Sequence, residues 1–108
     1  MIHASFFYYS LAKNSFTKND FQNTIAYLTR AIDLNPRDPR FYVYRGLARK
    51  KQGMNVEAAQ DIQIATSLES ESPGVNLSKA IERIQGPDRM WIEKIRNDPA
   101  TIPALGSR

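Results

Sequence analysis

Residues 31–46 read AIDLNPRDPRFYVYRG and set Pro36 and Pro39 between two segments of helical spacing. A proline inside a helix removes a backbone N–H and clashes with the preceding turn, so neither residue belongs in a helix interior. Upstream, Phe21, Ile25, Leu28, Ala31 and Ile32 recur on one helical face, which ends before Pro36. Downstream, Phe41, Tyr42, Tyr44, Leu47 and Ala48 define another. Asp38 is suited to its N-cap and Pro39 to its first helical position. One helix therefore closes and the next opens within a few residues.

The same punctuation extends in both directions. Phe7, Tyr8, Leu11 and Ala12 share a face in an N-terminal helix, and Gly53 ends the helix begun at Pro39. Ala58, Ile62, Ala65 and Leu68 mark a fourth helix, broken by Ser72-Pro73-Gly74. Leu77, Ala80, Ile81 and Ile84 predict a fifth, stopped at Gly86. Pro87-Asp88 opens a sixth carrying Trp91, Ile92 and Ile95, and Asn97-Asp98-Pro99 ends it before a loose tail, TIPALGSR. No segment alternates apolar and polar residues as a strand would. The expectation is an all-α chain of about six short helices.

The 108 residues fit a single domain, and 42% hydrophobic with 24% charged residues fits a folded soluble protein. No apolar run approaches the roughly 20 residues of a membrane span. The start, MIHASFFYYSLAKN, lacks the basic region and small-residue cleavage site of a signal peptide and reads as the first helix. There are no cysteines, which removes disulfides, thiolate metal ligands and cysteine nucleophiles and fits a reducing, cytoplasmic compartment. His3 is the only histidine, the glycines are isolated, and the closest acid pair, Glu69 and Glu71, sits at a helix end. No triad, metal site, phosphate loop or hydrolytic carboxylate pair is legible. The expectation is a protein that is not an enzyme and has no cofactor.

Net charge is +4 but unevenly placed. Residues 1–51 carry nine Lys/Arg against Asp20, Asp33 and Asp38, a balance of +6, whereas residues 52–108 carry six against eight acids, a balance of −2. A basic half points to an acidic partner.

Residues 5–38 align with 39–72 at a constant offset of 34. Tyr8 falls on Tyr42, Ala12 on Gly46, Asn19 on Gly53, Thr24 on Ala58, Leu28 on Ile62, Ala31 on Ala65 and Leu34 on Leu68. In this period and pattern, an aromatic near the start, small residues where helices cross and Pro36 after the second helix, the sequence resembles the tetratricopeptide repeat family. The resemblance implies a superhelix of antiparallel helical hairpins. Repeat one spans 5–38 and repeat two 39–72; residues 73–97 form either a degenerate third repeat or capping helices, and 98–108 a tail. YVYRGLA resembles a variant with Tyr-x-x-Arg-Gly, which implies that Arg45 pairs with Asp61 across the second hairpin. Ser70 stands where a closing proline is usual, so the fourth helix should run on towards Ser72.

Function follows from the resemblance as an expectation. Such proteins bind partner segments in a concave groove lined by the first helix of each hairpin, here Phe6, Tyr9, Lys13, Phe16 and Thr17, then Arg40, Val43, Leu47, Lys50 and Lys51. That set is aromatic and basic and suits an acidic or amphipathic segment of a partner protein, in a non-catalytic adaptor. The carboxylate-clamp subclass is not implied, because its matching positions are Tyr9, Lys13 and Tyr44. The rival reading is nucleic-acid binding, with Arg37, Arg40, Arg49, Lys50 and Lys51 on phosphates and Phe41 and Tyr44 stacking on bases. A third reading is a structural subunit of a larger assembly. Trp91 is expected in the core; were its helix to project instead, Met90, Trp91 and Ile95 would form a patch for self-association.

Overall fold

A computed structural model of the chain describes residues 2–71 and 77–97. Among these residues there are six helices and no strand: α1 Ile2–Thr17, α2 Phe21–Leu34, α3 Pro39–Lys51, α4 Asn55–Glu71, α5 Leu77–Ala80 and α6 Gly86–Asn97. The fold is all-α. The helix starts follow local chemistry. The Asp38 carboxylate accepts from the Arg40 backbone N–H at 3.0 Å with Pro39 at the first turn, and Asp20 accepts from Asn23 at the head of α2. Tyr42 reaches back to donate to the Pro36 carbonyl at 2.9 Å, which ties α3 to the end of α2.

α1 packs on α2, α3 on α4, and α2 on α3. The turns inside the two hairpins share four backbone bonds at the same offset, and Gln52 N–H has one further bond, to the Ala48 carbonyl at 3.1 Å, that Lys18 lacks. Lys18, Asn19 and Asp20 donate backbone N–H to the carbonyls of Ser15, Phe16 and Ser15; Gln52, Gly53 and Met54 donate to Arg49, Lys50 and Arg49. Thr24 and Ala58 then bond back to Asp20 and Met54. Asn19 and Gly53 occupy the same left-handed position, with φ of 61° and 82°. Asparagine and glycine tolerate that conformation best.

Each hairpin closes on a small residue. Ala12 is fully buried, and at the equivalent Gly46 an added Cβ would lie 3.0 Å from the Ala58 carbonyl oxygen and 3.1 Å from Ile62 Cδ1. Gly46→Ala is expected to change stability little, because removing a helix-interior glycine returns about 1 kcal/mol against that crowding. Gly46→Val adds branches that must push α3 off α4, and should destabilise by about 2 kcal/mol in urea unfolding.

The core has two parts. Tyr9, Ala12, Leu28, Ala31 and Phe41 fill the first hairpin and its seam with α3. Tyr42, Val43, Leu47, Ile62, Ala65 and Leu68 meet Leu77, Ile81, Ile84, Ile92 and Ile95 from the C-terminal segment. Asp61 on α4 is 2% exposed at its side chain, bonded to Arg45 Nε and Nη2 at 3.0 and 2.9 Å and to Arg49 Nη1 at 2.9 Å. The Arg45–Asp61 pair is thus present, with Arg49 as an additional partner and Thr29 accepting from Arg45 at 3.3 Å.

Four expectations change. Phe7, read as core-facing, is 60% exposed, its ring edge-on to Tyr8 at 5.5 Å. Leu34 is also exposed, although Leu68 is buried beneath α5 and α6. The fifth helix is a single turn, followed by the tighter bonds Glu82 N–H to Lys79 and Ile84 N–H to Ile81. The Arg89 guanidinium takes the carbonyls of Ile81 and Ile84 at 3.2 and 3.3 Å, so the chain leaves the helix without orphaning them. Gly86 begins α6 at φ 71° instead of ending α5. The segment is anchored by Glu69, which accepts from Leu77 N–H at 3.0 Å and from Arg96 at 2.8 Å. α4 runs to Glu71, as the missing proline implies. The break at Ser72-Pro73-Gly74 and the tail 98–108 lie outside the described residues.

Candidate functional site

α3 packs against both α1 and α5, so the C-terminal turn faces α1 across the middle of α3. A cleft of about 500 Å³ opens there. Lys13, Phe16 and Thr17 form one wall, Tyr44 and Leu47 the floor, and Arg83, Ile84 and Gln85 the far wall, with Asp88 at the head of α6. The floor is aromatic: Phe16 meets Tyr44 edge-on at 5.6 Å, and Tyr44 meets Tyr9 at 5.9 Å. Burial pushes the Tyr44 hydroxyl above its ordinary pKa, against the opposing pull of the nearby Arg83 guanidinium. That hydroxyl is neutral at physiological pH and makes no hydrogen bond among the described residues.

The expected groove residues divide three ways. Lys13 and Phe16 line the cleft, as does Thr17, whose hydroxyl donates to the Asn14 carbonyl. Phe6 and Arg40 do not line it; the Arg40 guanidinium lies 5.0 Å from both the Phe6 and Tyr9 rings. Arg40 is already chelated by Asp38 at 3.0 and 2.6 Å, and that hydrogen bonding raises its pKa further. Tyr9, Val43 and Leu47 are buried. Val43 is a correction: it packs with the C-terminal isoleucines and presents nothing to a partner. Tyr9 is a second, because its ring sits beneath Lys13 and Arg40 and against Phe41, and burial pushes its hydroxyl pKa up. Leu47 contributes only to the floor.

Lys50 and Lys51 lie at the end of α3, where the helix dipole favours cations. Lys50 rests 5.5 Å from the Trp91 ring and Lys51 is 3.3 Å from Asp88, so both fasten α3 to α6. Trp91 is half-buried against the core and Ile95 is buried; of the patch considered for self-association, only Met90 is fully displayed.

Arg83, Ile84 and Gln85 were not among the expected site residues. Arg83 lies off the apolar face of Leu77, Ile81 and Ile84, which is the only hint of its position that the sequence offers. Among the described residues neither Lys13 nor Arg83 forms an ion pair. A second hollow of about 420 Å³ lies between the α2–α3 turn and α5, lined by Arg37, Asp38, Arg40 and Lys79. There Arg37 faces Glu71 at 3.4 Å and Arg40 is held by Asp38.

No family model, curated protein or solved structure matches the chain significantly. The class established is that of an all-α protein in which no described helix is long and apolar enough to cross a membrane.

Proposed function

We propose that the chain is a tetratricopeptide-type module, two antiparallel hairpins closed by a C-terminal helical pair, and that it works without catalysis as an adaptor for an acidic or amphipathic segment of a partner protein. Four backbone bonds of the hairpin turns that recur at an offset of 34, with small residues at both crossings, support the repeat reading. The observation that carries the function is the cleft: an apolar lining of Phe16, Tyr44, Leu47 and Ile84 beside two cations, Lys13 and Arg83, without ion-pair partners among the described residues. Apolar anchoring supplies affinity there and the cations steer, so binding should weaken as salt rises through the Debye range.

Nucleic-acid binding fits less well. Arg37, Arg40, Arg49 and Lys51 each face a carboxylate, Lys50 lies on Trp91, and the would-be stacking ring of Phe41 is fully buried. Of the cations that reading would place on phosphates, only Lys50 lacks a carboxylate partner among the described residues.

Selection from a random peptide display library tests the reading. Enrichment of acidic sequences with an apolar residue, lost with Lys13→Glu/Arg83→Glu, is the expected result. Each charge reversal should weaken a selected peptide by about tenfold, in keeping with contacts at a charged rim. Recovery of no peptide, or of peptides indifferent to the double reversal, would overturn it.

A further inference from the structure

The cleft is not built by the two hairpins alone, and that bears on what it selects. Its far wall, Arg83 and Ile84, comes from the turn between α5 and α6. Resting on the adaptor reading, we infer that the bound segment carries one bulky apolar side chain with an acidic residue on each side of it, and that Arg83 is the specificity-determining residue for one of those acids.

The geometry leads there in steps. The apolar lining runs from Phe16 on one wall over the Tyr44 and Leu47 floor to Ile84 on the other; Leu47 and Ile84 are buried, so the rings of Phe16 and Tyr44 offer most of its surface. Such a lining takes a leucine-sized or aromatic side chain, and a volume of about 500 Å³ lies within the range of sites that largely enclose a ligand group. A cation stands on each wall, Lys13 on α1 and Arg83 on the turn, with α3 between them. The two cations stand on separate elements, and each is assigned one acid. Arg83 and Tyr44 line the same cleft, so a guanidinium and a phenolic O–H donor are both available there to a carboxylate. Asp88 does not cancel this attraction, since Lys51 holds it at 3.3 Å. The wall is also firmly set: Arg89 takes the carbonyls of Ile81 and Ile84 while bonding Glu93 at 2.9 Å.

The test uses the intact 108-residue chain, labelled with ¹⁵N, and short capped peptides with a leucine between two glutamates. Amide shifts should gather at Lys13, Thr17, Tyr44, Leu47 and residues 83–85. Arg83→Glu should weaken binding about tenfold, and a peptide with one particular glutamate changed to lysine should recover most of that loss. Lys13→Glu should be rescued by the other glutamate. Because Arg83 is exposed, Arg83→Glu should melt as wild type does, which separates binding from folding. If Arg83→Glu binds like wild type while Lys13→Glu does not, the inference fails and the adaptor reading stands. If neither these peptides nor displayed ones shift any amide, both fail. An oligonucleotide that moves the cleft amides while the peptides do not would overturn both in favour of nucleic acid.

Discussion

Asp61→Ala should remove about 3 kcal/mol of stability, the lower part of the range for breaking a buried ion pair from one side. Asp61 is nearly sealed from water and serves two guanidinium groups, Arg45 through two bonds and Arg49 through one. Alanine removes the acceptor and leaves two cations whose side chains are 12% and 20% exposed. They retain a path to solvent, which keeps the cost from reaching its upper limit. Arg49 Nε is already buried without a partner, so the cluster has no spare acceptor to offer. A small domain holds only about 5–15 kcal/mol in total, so the midpoint in urea should fall steeply at an unchanged slope. The triple replacement of Arg45, Arg49 and Asp61 by leucine should lose much less, because no uncompensated charge remains. A change under about 1 kcal/mol for Asp61→Ala would mean that both arginines swing out to water.

What could be read from the sequence was the part governed by local rules. Pro36, Asp38 and Pro39 mark a boundary through backbone chemistry alone, and α2 and α3 end and begin there. The offset of 34 paired Asn19 with Gly53, and both adopt positive φ in their turns. The constant offset also located Gly46 and Ala12 at buried positions. Val43 and Leu47 are misjudged from the sequence for one reason. Assigning Val43 and Leu47 to an open groove assumes that nothing lies over that side of α3. The C-terminal segment does lie there, and its packing depends on residues far apart in the chain: Glu69 with Leu77 and Arg96, and Lys51 with Asp88. No periodicity encodes such pairings. The helical pattern of Leu77, Ile81 and Ile84 was real as burial but false as helix length: after one turn the chain tightens, and Arg89 bonds the Ile84 carbonyl and adds a second donor to that of Ile81. Arg83 went unnoticed for the same reason, since its place in the site depends on where that turn settles.

Phe41→Ala should have the other large effect, and it joins the fold to the cleft. Phe41 stands on α3, yet its fully buried ring fills the first hairpin's core beside Ala12, Leu28 and Ala31. Truncation should cost about 3–5 kcal/mol, as for other buried aromatic residues cut to alanine. The cavity opens directly under Tyr9, whose ring lies 5.2 Å away and itself carries Lys13 at 4.8 Å and contacts Tyr44. As Tyr9 sinks into the space, Lys13 loses the ring that holds it over the cleft and Tyr44 loses one of its two aromatic neighbours. Peptide binding should therefore weaken even at temperatures where the variant is fully folded. Leu28→Ala provides the comparison. It removes a buried side chain from the same core, on α2, and Leu28 does not line the cleft. Both variants should lower the urea midpoint substantially, but only Phe41→Ala should alter affinity in the folded protein. Equal affinities for the two would show that the aromatic chain from Phe41 through Tyr9 stabilises the hairpins without positioning Lys13.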